Sequence, residues 1–156
     1  MEQDLVRARQ NKLVALSSRV PFAEVFQMTL SFDNTGNAIC QMPYSPKFNH
    51  AAGGTHGGIY GLLLDTVGWC VLTPHYSELL TTVEYETKLL DQVVEKELIA
   101  CGQVVRLGKN VAVASMSVKS SDDSLIAIGS GSYVVTQKEF WRSEPNRSNS
   151  QFQTRC

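Results

Sequence analysis

The sequence lacks a CxxC pair, an apolar signal core, a membrane-spanning segment, an internal repeat and any marked excess of one charge sign. Each absence removes a class of protein. Its four cysteines, Cys40, Cys70, Cys101 and Cys156, stand far apart. That spacing suits free thiols in a reducing compartment better than a disulfide frame or a zinc site. His50, His56 and His75 show no ligand spacing, so no metal and no cofactor are expected. The opening residues, MEQDLVRARQ, are charged and resemble no leader, which makes the cytoplasm the default expectation. A net charge of −1 gives no support for a broad nucleic-acid surface. What remains is 156 residues, 43% hydrophobic and 19% charged, the profile of one globular domain with a real core. That domain is expected over residues 1–138, with a polar tail at 139–156 that frays.

One stretch organises the chain. Residues 55–72, THGGIYGLLLDTVGWCVL, open on His56 and two glycines and are then almost wholly apolar apart from Asp65. A helix apolar on all sides is normally buried. The expected helix, about residues 56–72, is near 24 Å long, too short and glycine-broken to span a bilayer. Asp65 is the anomaly, because a buried carboxylate is costly unless paired or hydrogen-bonded. It is either a structural aspartate accepting bonds from backbone or threonine groups, or a general base or nucleophile in an apolar site.

The helix start offers complementary chemistry. Its first N–H groups lack intrahelical partners and carry the positive end of the dipole. Gly57 and Gly58 leave those groups approachable, so they can polarise a carbonyl, unless the glycines serve packing alone. Eight residues separate Gly57 from Asp65, roughly 12 Å along the axis. A carbonyl held at Gly57 therefore cannot present its carbon to Asp65 of the same helix. If both groups serve one reaction, two antiparallel copies must supply them, which predicts a two-fold dimer.

The flanking chain reads as α+β. Residues 3–17 form an amphipathic helix with Leu5, Ala8, Leu13 and Leu16 inward. Pro21 interrupts the chain beyond Ser18, Phe22 and Val25 pack inward, and residues 26–32 form a strand. After the turn cluster at 33–37, residues 38–42 return to make a hairpin. The proline- and glycine-rich segment 43–55 is a loop delivering the chain to the central helix. Pro74 ends that helix. Segments 79–89, 96–106, 110–120 and 125–137 then give four strands joined by tight turns, an antiparallel sheet curling around the helix.

THGGIYGLLLDTVGW, followed by TTVEYETKLL, VVRLGKNVAVASMSV and LIAIGSGSYVV, resembles the hotdog-fold acyl-CoA thioesterases, above all the small phenylacetate-pathway (PaaI-like) type. The likeness runs over roughly residues 21–136. It implies a long central helix wrapped by a curved antiparallel sheet, a homodimer or homotetramer, and hydrolysis of an acyl-CoA. By resemblance Asp65 is nucleophile or general base, and Gly57 donates its N–H to the thioester oxygen from the other subunit. Thr82 matches the hydroxyl that positions water, with Thr81 the neighbour should the register slip by one. The family's loop asparagine falls six residues before the histidine, where this chain has His50. Either Asn49 takes that role or His50 replaces it. His56 is read as fixing the helix start.

Coenzyme A phosphates need basic partners, and Arg106 and Lys109 flank a tight turn suited to that role, with Lys47 and Lys88 further cations near the site in sequence. Tyr60, Leu64 and Trp69 are candidate walls for the acyl group, or simply core. Two other activities fit the same pattern: a hydroxyacyl-thioester dehydratase of the same fold, and a non-catalytic acyl-CoA binding protein. The HGG start ahead of the helix acid favours hydrolysis over dehydration.

Overall fold

In the computed structural model, residues 1–141 are described. Two N-terminal helices, α1 (Glu2–Ser17) and α2 (Pro21–Phe26), precede a hairpin of β1 (Thr29–Phe32) and β2 (Ala38–Met42). The long helix α3 (Gly57–Leu72) comes next, then β3 (Glu78–Leu89), β4 (Leu98–Leu107), β5 (Val111–Ser120) and β6 (Leu125–Glu139). These six strands join one antiparallel sheet in the order β1-β2-β4-β5-β6-β3. The sheet curves around α3, whose Leu63, Leu64, Val67, Val71 and Leu72 are buried against Ala100, Ala112, Ala114, Val118 and Tyr133. This is the hotdog fold. No helix of the described residues is long and apolar enough to cross a membrane.

Close approach explains the small residues of the sheet. A Cβ at Gly102 of β4 would strike the backbone carbonyl of Val67, so glycine there lets α3 lie directly on the strand. The sheet has two ends, β1 and β3, and β3 carries the exposed apolar residues Val83, Tyr85 and Leu89.

Four expectations are corrected. Residues 26–32 are not one strand: Pro21 sits at the first position of α2, where its missing N–H costs nothing. Gln27, at φ 52°, turns the chain into a strand that begins only at Thr29. Phe22 and Val25 are exposed on α2 rather than inward. On α1 only Leu13 is buried, while Leu5, Ala8 and Leu16 face out. The stripe turned inward includes Val6, Arg9 and Leu13, and the Arg9 guanidinium donates to Pro74 O at 3.3 Å and Ser77 Oγ at 2.9 Å. An arginine stem can line an apolar face while its head finds carbonyls, which hydrophobic periodicity does not register.

The third correction concerns α3, which is not wrapped on every side. Ile59, Leu62, Asp65, Thr66 and Trp69 lie on one stripe and are only half-buried. The fourth concerns the tail. Glu139 ends β6, Phe140 meets Trp69 edge-on at 5.4 Å, and Trp141 Nε1 donates to Tyr76 O at 2.7 Å. The packed fold thus reaches Trp141, and the remainder of the expected tail lies outside the described residues.

Candidate active site

The loop before α3 is held by its own backbone. His50 N–H donates to Gly54 O, Gly53 N–H returns to His50 O, and Asn49 bridges Thr55. Gly53 has φ +87°, a conformation costly to any residue with a Cβ. His56 N–H bonds Phe48 O at 2.9 Å, and the His56 ring then caps the helix, its Nδ1 accepting Gly58 N–H at 3.0 Å. Nδ1 as acceptor places the neutral ring's proton on Nε2. The cap consumes the Gly58 N–H, so Gly58 is not available to a ligand in this arrangement. Gly57 N–H has no acceptor among the described residues. It is the free donor at the positive end of α3.

Asp65 lies two turns further on, on the half-open stripe. Thr82 Oγ1 of β3 donates to Asp65 Oδ1 at 2.9 Å. The helix fixes the other side: Tyr133 Oη, fully buried beneath, donates to the Asp65 backbone carbonyl at 3.3 Å. Burial, and after it the neighbouring Asp65 charge, push the Tyr133 phenol far above its ordinary range, so it remains a donor. The Thr82 hydroxyl thus orients the carboxylate, and the Tyr133 hydroxyl lies close enough to interact with it as well. That is an arrangement able to take a proton or attack an electrophile.

A β-bulge completes the wall. Strand β3 breaks register between Thr82 and Glu84. The extra residue switches the alternation of side chains. Thr82 therefore faces α3, and so do Tyr85, Thr87 and Leu89 beyond it. Leu89 Cδ1 would meet a Cβ at Gly57 at 2.7 Å, Tyr85 Oη and Thr87 Oγ1 would meet one at Gly61 at 3.5 and 3.7 Å, and Thr82 meets Asp65. The helix positions 57, 61 and 65 and the strand thus form a ladder with a narrow groove between. Tyr85, Thr87 and Leu89 are absent from the residues that sequence reasoning singles out. The polar alternation Glu84, Glu86 and Lys88 is the signal available, since it assigns the intervening residues to the inner face.

The other expected site residues scatter. Thr81 neighbours Thr82 on the strand and is exposed on the opposite face, away from Asp65. Tyr60 is 2% exposed and belongs to the core, its hydroxyl donating to Thr55 O and accepting Val93 N–H, both at 3.2 Å. Leu64 is core as well, and Trp69 ties its indole N–H to Leu80 O at 2.8 Å. Asn49 Nδ2 donates to Tyr44 Oη at 3.0 Å, and its Oδ1 is shielded without a partner among the described residues. His50 Nδ1 accepts Ala52 N–H at 3.1 Å, a bond within its own turn. Neither bonds to Asp65 or Gly57 among the described residues. Arg106 and Lys109 are exposed at the β4–β5 turn, which Tyr76 Oη ties to the far end of α3 through Gly108 O at 2.9 Å.

Among the described residues, cysteine offers no competing nucleophile here. Burial pushes the Cys40 thiol up to about 12 and the Cys70 thiol well above its ordinary value. A polar cleft of about 1200 Å³ between α1 and the β1–β2 turn contains none of Gly57, Asp65 and Thr82. In a single chain Gly57, Asp65 and Thr82 are half-buried, where α3 meets the edge strand β3.

Comparison with known proteins agrees with this fold. The Thioesterase superfamily matches residues 52–127. A Saccharolobus solfataricus protein carrying an esterase designation is 30% identical over 101 residues, 64% of this chain and 72% of that protein. Among solved structures, the Escherichia coli PaaI protein of the phenylacetic acid degradation operon superposes with a TM-score of 0.79 at 16% identity. That match takes in 86% of this chain and 98% of PaaI. A thioesterase protein of Streptococcus pneumoniae, solved with coenzyme A, gives a TM-score of 0.65 at 15% identity over 72% of this chain and 88% of its own. At these identities the two structures speak to fold.

Proposed function

The chain belongs to the thioesterase superfamily and is a thioester hydrolase, and from that premise we propose that it cleaves an acyl-CoA at sites shared between two antiparallel copies of α3. The single observation that carries this reading is the pairing of an oriented carboxylate, Asp65 with Thr82, and a free helix-start donor, Gly57 N–H, on one half-covered helix. They lie roughly 12 Å apart along that helix. One copy cannot use both on one carbonyl; two antiparallel copies can.

The uncovered surfaces favour such a pairing. The stripe Ile59, Leu62, Asp65, Thr66 and Trp69 and the edge strand β3, with exposed Val83, Tyr85 and Leu89 and with Leu90 just beyond its end, lie side by side. An open apolar edge strand invites another strand. Closing a second copy over this face would convert the groove into a water-poor cavity, in which fixed dipoles act strongly.

In the proposed reaction the thioester oxygen accepts a bond from the partner subunit's Gly57 N–H. Asp65 takes a proton from water while that water attacks the carbonyl carbon. The tetrahedral oxyanion rests on the helix-start N–H, then the C–S bond breaks and coenzyme A leaves as thiolate, regaining the proton held by Asp65. Thr82 keeps the carboxylate aligned. Direct attack by Asp65, giving an anhydride that water then opens, uses the same geometry; solvent-oxygen incorporation into Asp65 under single turnover separates the two routes. Antiparallel packing also brings the β4–β5 turn of one copy beside the α3 start of the other, where Arg106 and Lys109 would meet coenzyme A phosphates.

The experiment is thiol release across a panel of acyl-CoA thioesters by wild type and Asp65→Asn. The reading expects turnover by wild type on a subset of the panel and its loss in the variant. Full hydrolysis by Asp65→Asn would overturn the role of Asp65, and tight binding without turnover would make the protein an acyl-CoA binder.

A further inference from the structure

Of the ladder between β3 and α3, the proposed hydrolysis uses the two ends, Asp65 with Thr82 and the Gly57 N–H. The middle rung has an unsatisfied polar group. Thr87 Oγ1 is shielded from solvent and has no hydrogen-bond partner among the described residues. It faces Gly61 alongside Tyr85 Oη, and the Tyr85 ring edge lies 3.7 Å from where a Gly61 Cβ would stand. A buried hydroxyl without a partner costs free energy until one arrives. In the single chain Tyr85 is 43% exposed, and its ring lies over this rung as a cover. Beneath it, the absence of a side chain at Gly61 leaves backbone as the floor. This rung lies one helical turn from Asp65, roughly 6 Å along the axis. That is the reach of an acyl chain whose carbonyl carbon sits at the carboxylate.

We propose that Tyr85 and Thr87 form the acyl-selecting end of the site, with Thr87 recognising a hydroxyl or oxo substituent on the acyl group several bonds beyond the thioester carbon. The ligand displaces the Tyr85 ring from Gly61, lays its chain on the bare helix backbone and supplies the partner that Thr87 lacks. Tyr85 Oη, beside it, gives a second bond to the same substituent. Acyl groups without such a substituent leave the hydroxyl unsatisfied and bind more weakly. The assignment rests on the acyl-CoA reading for the nature of the ligand.

Binding separates the two ideas. Non-hydrolysable thioether analogues of coenzyme A, matched in chain length and either plain or hydroxylated at successive carbons, are titrated calorimetrically into wild type, Thr87→Val, Thr87→Ser and Tyr85→Phe. The expected result is that one hydroxylated analogue binds wild type about tenfold tighter than its plain counterpart. Thr87→Val abolishes that ratio while keeping the plain analogue's affinity, Thr87→Ser preserves it, and Tyr85→Phe narrows it. Thr87→Val also melts no lower than wild type, because it removes an unpaired hydroxyl. Equal weakening of both analogues, an unchanged ratio, or no binding of either by wild type overturns the assignment, and Thr87 then serves packing or a trapped water. A Thr87-dependent ratio in a protein that releases no thiol from acyl-CoA would leave the assignment standing and defeat hydrolysis. Turnover of acyl-CoA without the ratio would do the reverse.

Discussion

Two identical substitutions on α3, Gly61→Ala and Gly68→Ala, are expected to move stability in opposite directions. At both positions alanine gains roughly 1 kcal/mol of helix propensity. At Gly61 the new methyl meets nothing closer than Tyr85 Oη at 3.5 Å, so the gain survives. The melting temperature should rise by about 2–4 °C for a chain of this length. At Gly68 the methyl lands on Tyr133 Oη and comes within 3.0 Å of Met116 Sδ. Tyr133 is fully buried and its hydroxyl bonds Asp65 O, so it cannot step aside without losing that bond. Overpacking of this kind costs about 1–3 kcal/mol and the lost bond about 1 more. After the propensity gain, the net loss is about 1–3 kcal/mol, a fall of roughly 2–12 °C. Thermal unfolding followed by circular dichroism or calorimetry reads both. A Gly68→Ala protein as stable as wild type, or a Gly61→Ala protein that melts earlier, would refute the packing of α3 against β3 and β6. Thiol release adds a second reading, since the Gly61 methyl fills the groove floor and should lower turnover in the more stable protein.

Thr82→Val removes the donor to Asp65, a bond to a charged group worth about 1.5–3 kcal/mol. The expected consequence is a roughly ten- to hundredfold fall in kcat with KM little changed, recovered by Thr82→Ser. His56→Ala strips the α3 cap, about 1 kcal/mol, whereas His56→Asn should retain most of the stability; denaturant titration compares them. Asp33 tests pH dependence. The Thr35 hydroxyl bond, followed by bonds from Asn37 and the Thr35 backbone, holds the Asp33 carboxyl at about 2, below the usual 3.8. A lowered folded value means stability present above the unfolded value and lost as pH falls through the folded one. Wild type should therefore melt above Asp33→Asn at neutral pH, and the gap should close as the solution is acidified through pH 2–4. A gap that persists at the acidic end would assign the difference to something other than this charge.

Much of this molecule is legible in its residues, and the rest is hidden for definite physical reasons. Helix α3 and the strands after it follow from long apolar runs and tight turns, because each buries a continuous face and local pattern agrees with the final structure. Helix α2 is hidden because six residues carry too little periodicity to distinguish it from a strand. The inner face of α1 is misleading because Arg9, a charged residue, occupies it. Asp65 and Gly57 stand out by composition alone, as a lone acid in an apolar helix and a bare helix start. Thr82 can be placed opposite Asp65 only by analogy, and the bulge at Val83 explains why: alternation read straight through β3 puts Thr82 and Tyr85 on opposite faces. The use of Gly58 N–H by His56 is a matter of cap geometry, which no spacing rule reveals.

The proposed chemistry requires that each site take its acid from one copy and its oxyanion donor from another, and mixing of subunits puts that requirement to the decisive test. Asp65→Asn removes the carboxylate function, and Gly57→Pro removes the N–H at a helix position whose backbone tolerates proline, the exposed tip of Leu89 shifting to admit the ring. Each variant alone should be inactive. Unfolded together at equal amounts and refolded, half the dimers are mixed, and each mixed dimer regains one intact site. Thiol release should then return to about a quarter of the wild-type rate. Mixtures no more active than the separate variants, in samples shown by light scattering to be dimeric, would contradict the shared site.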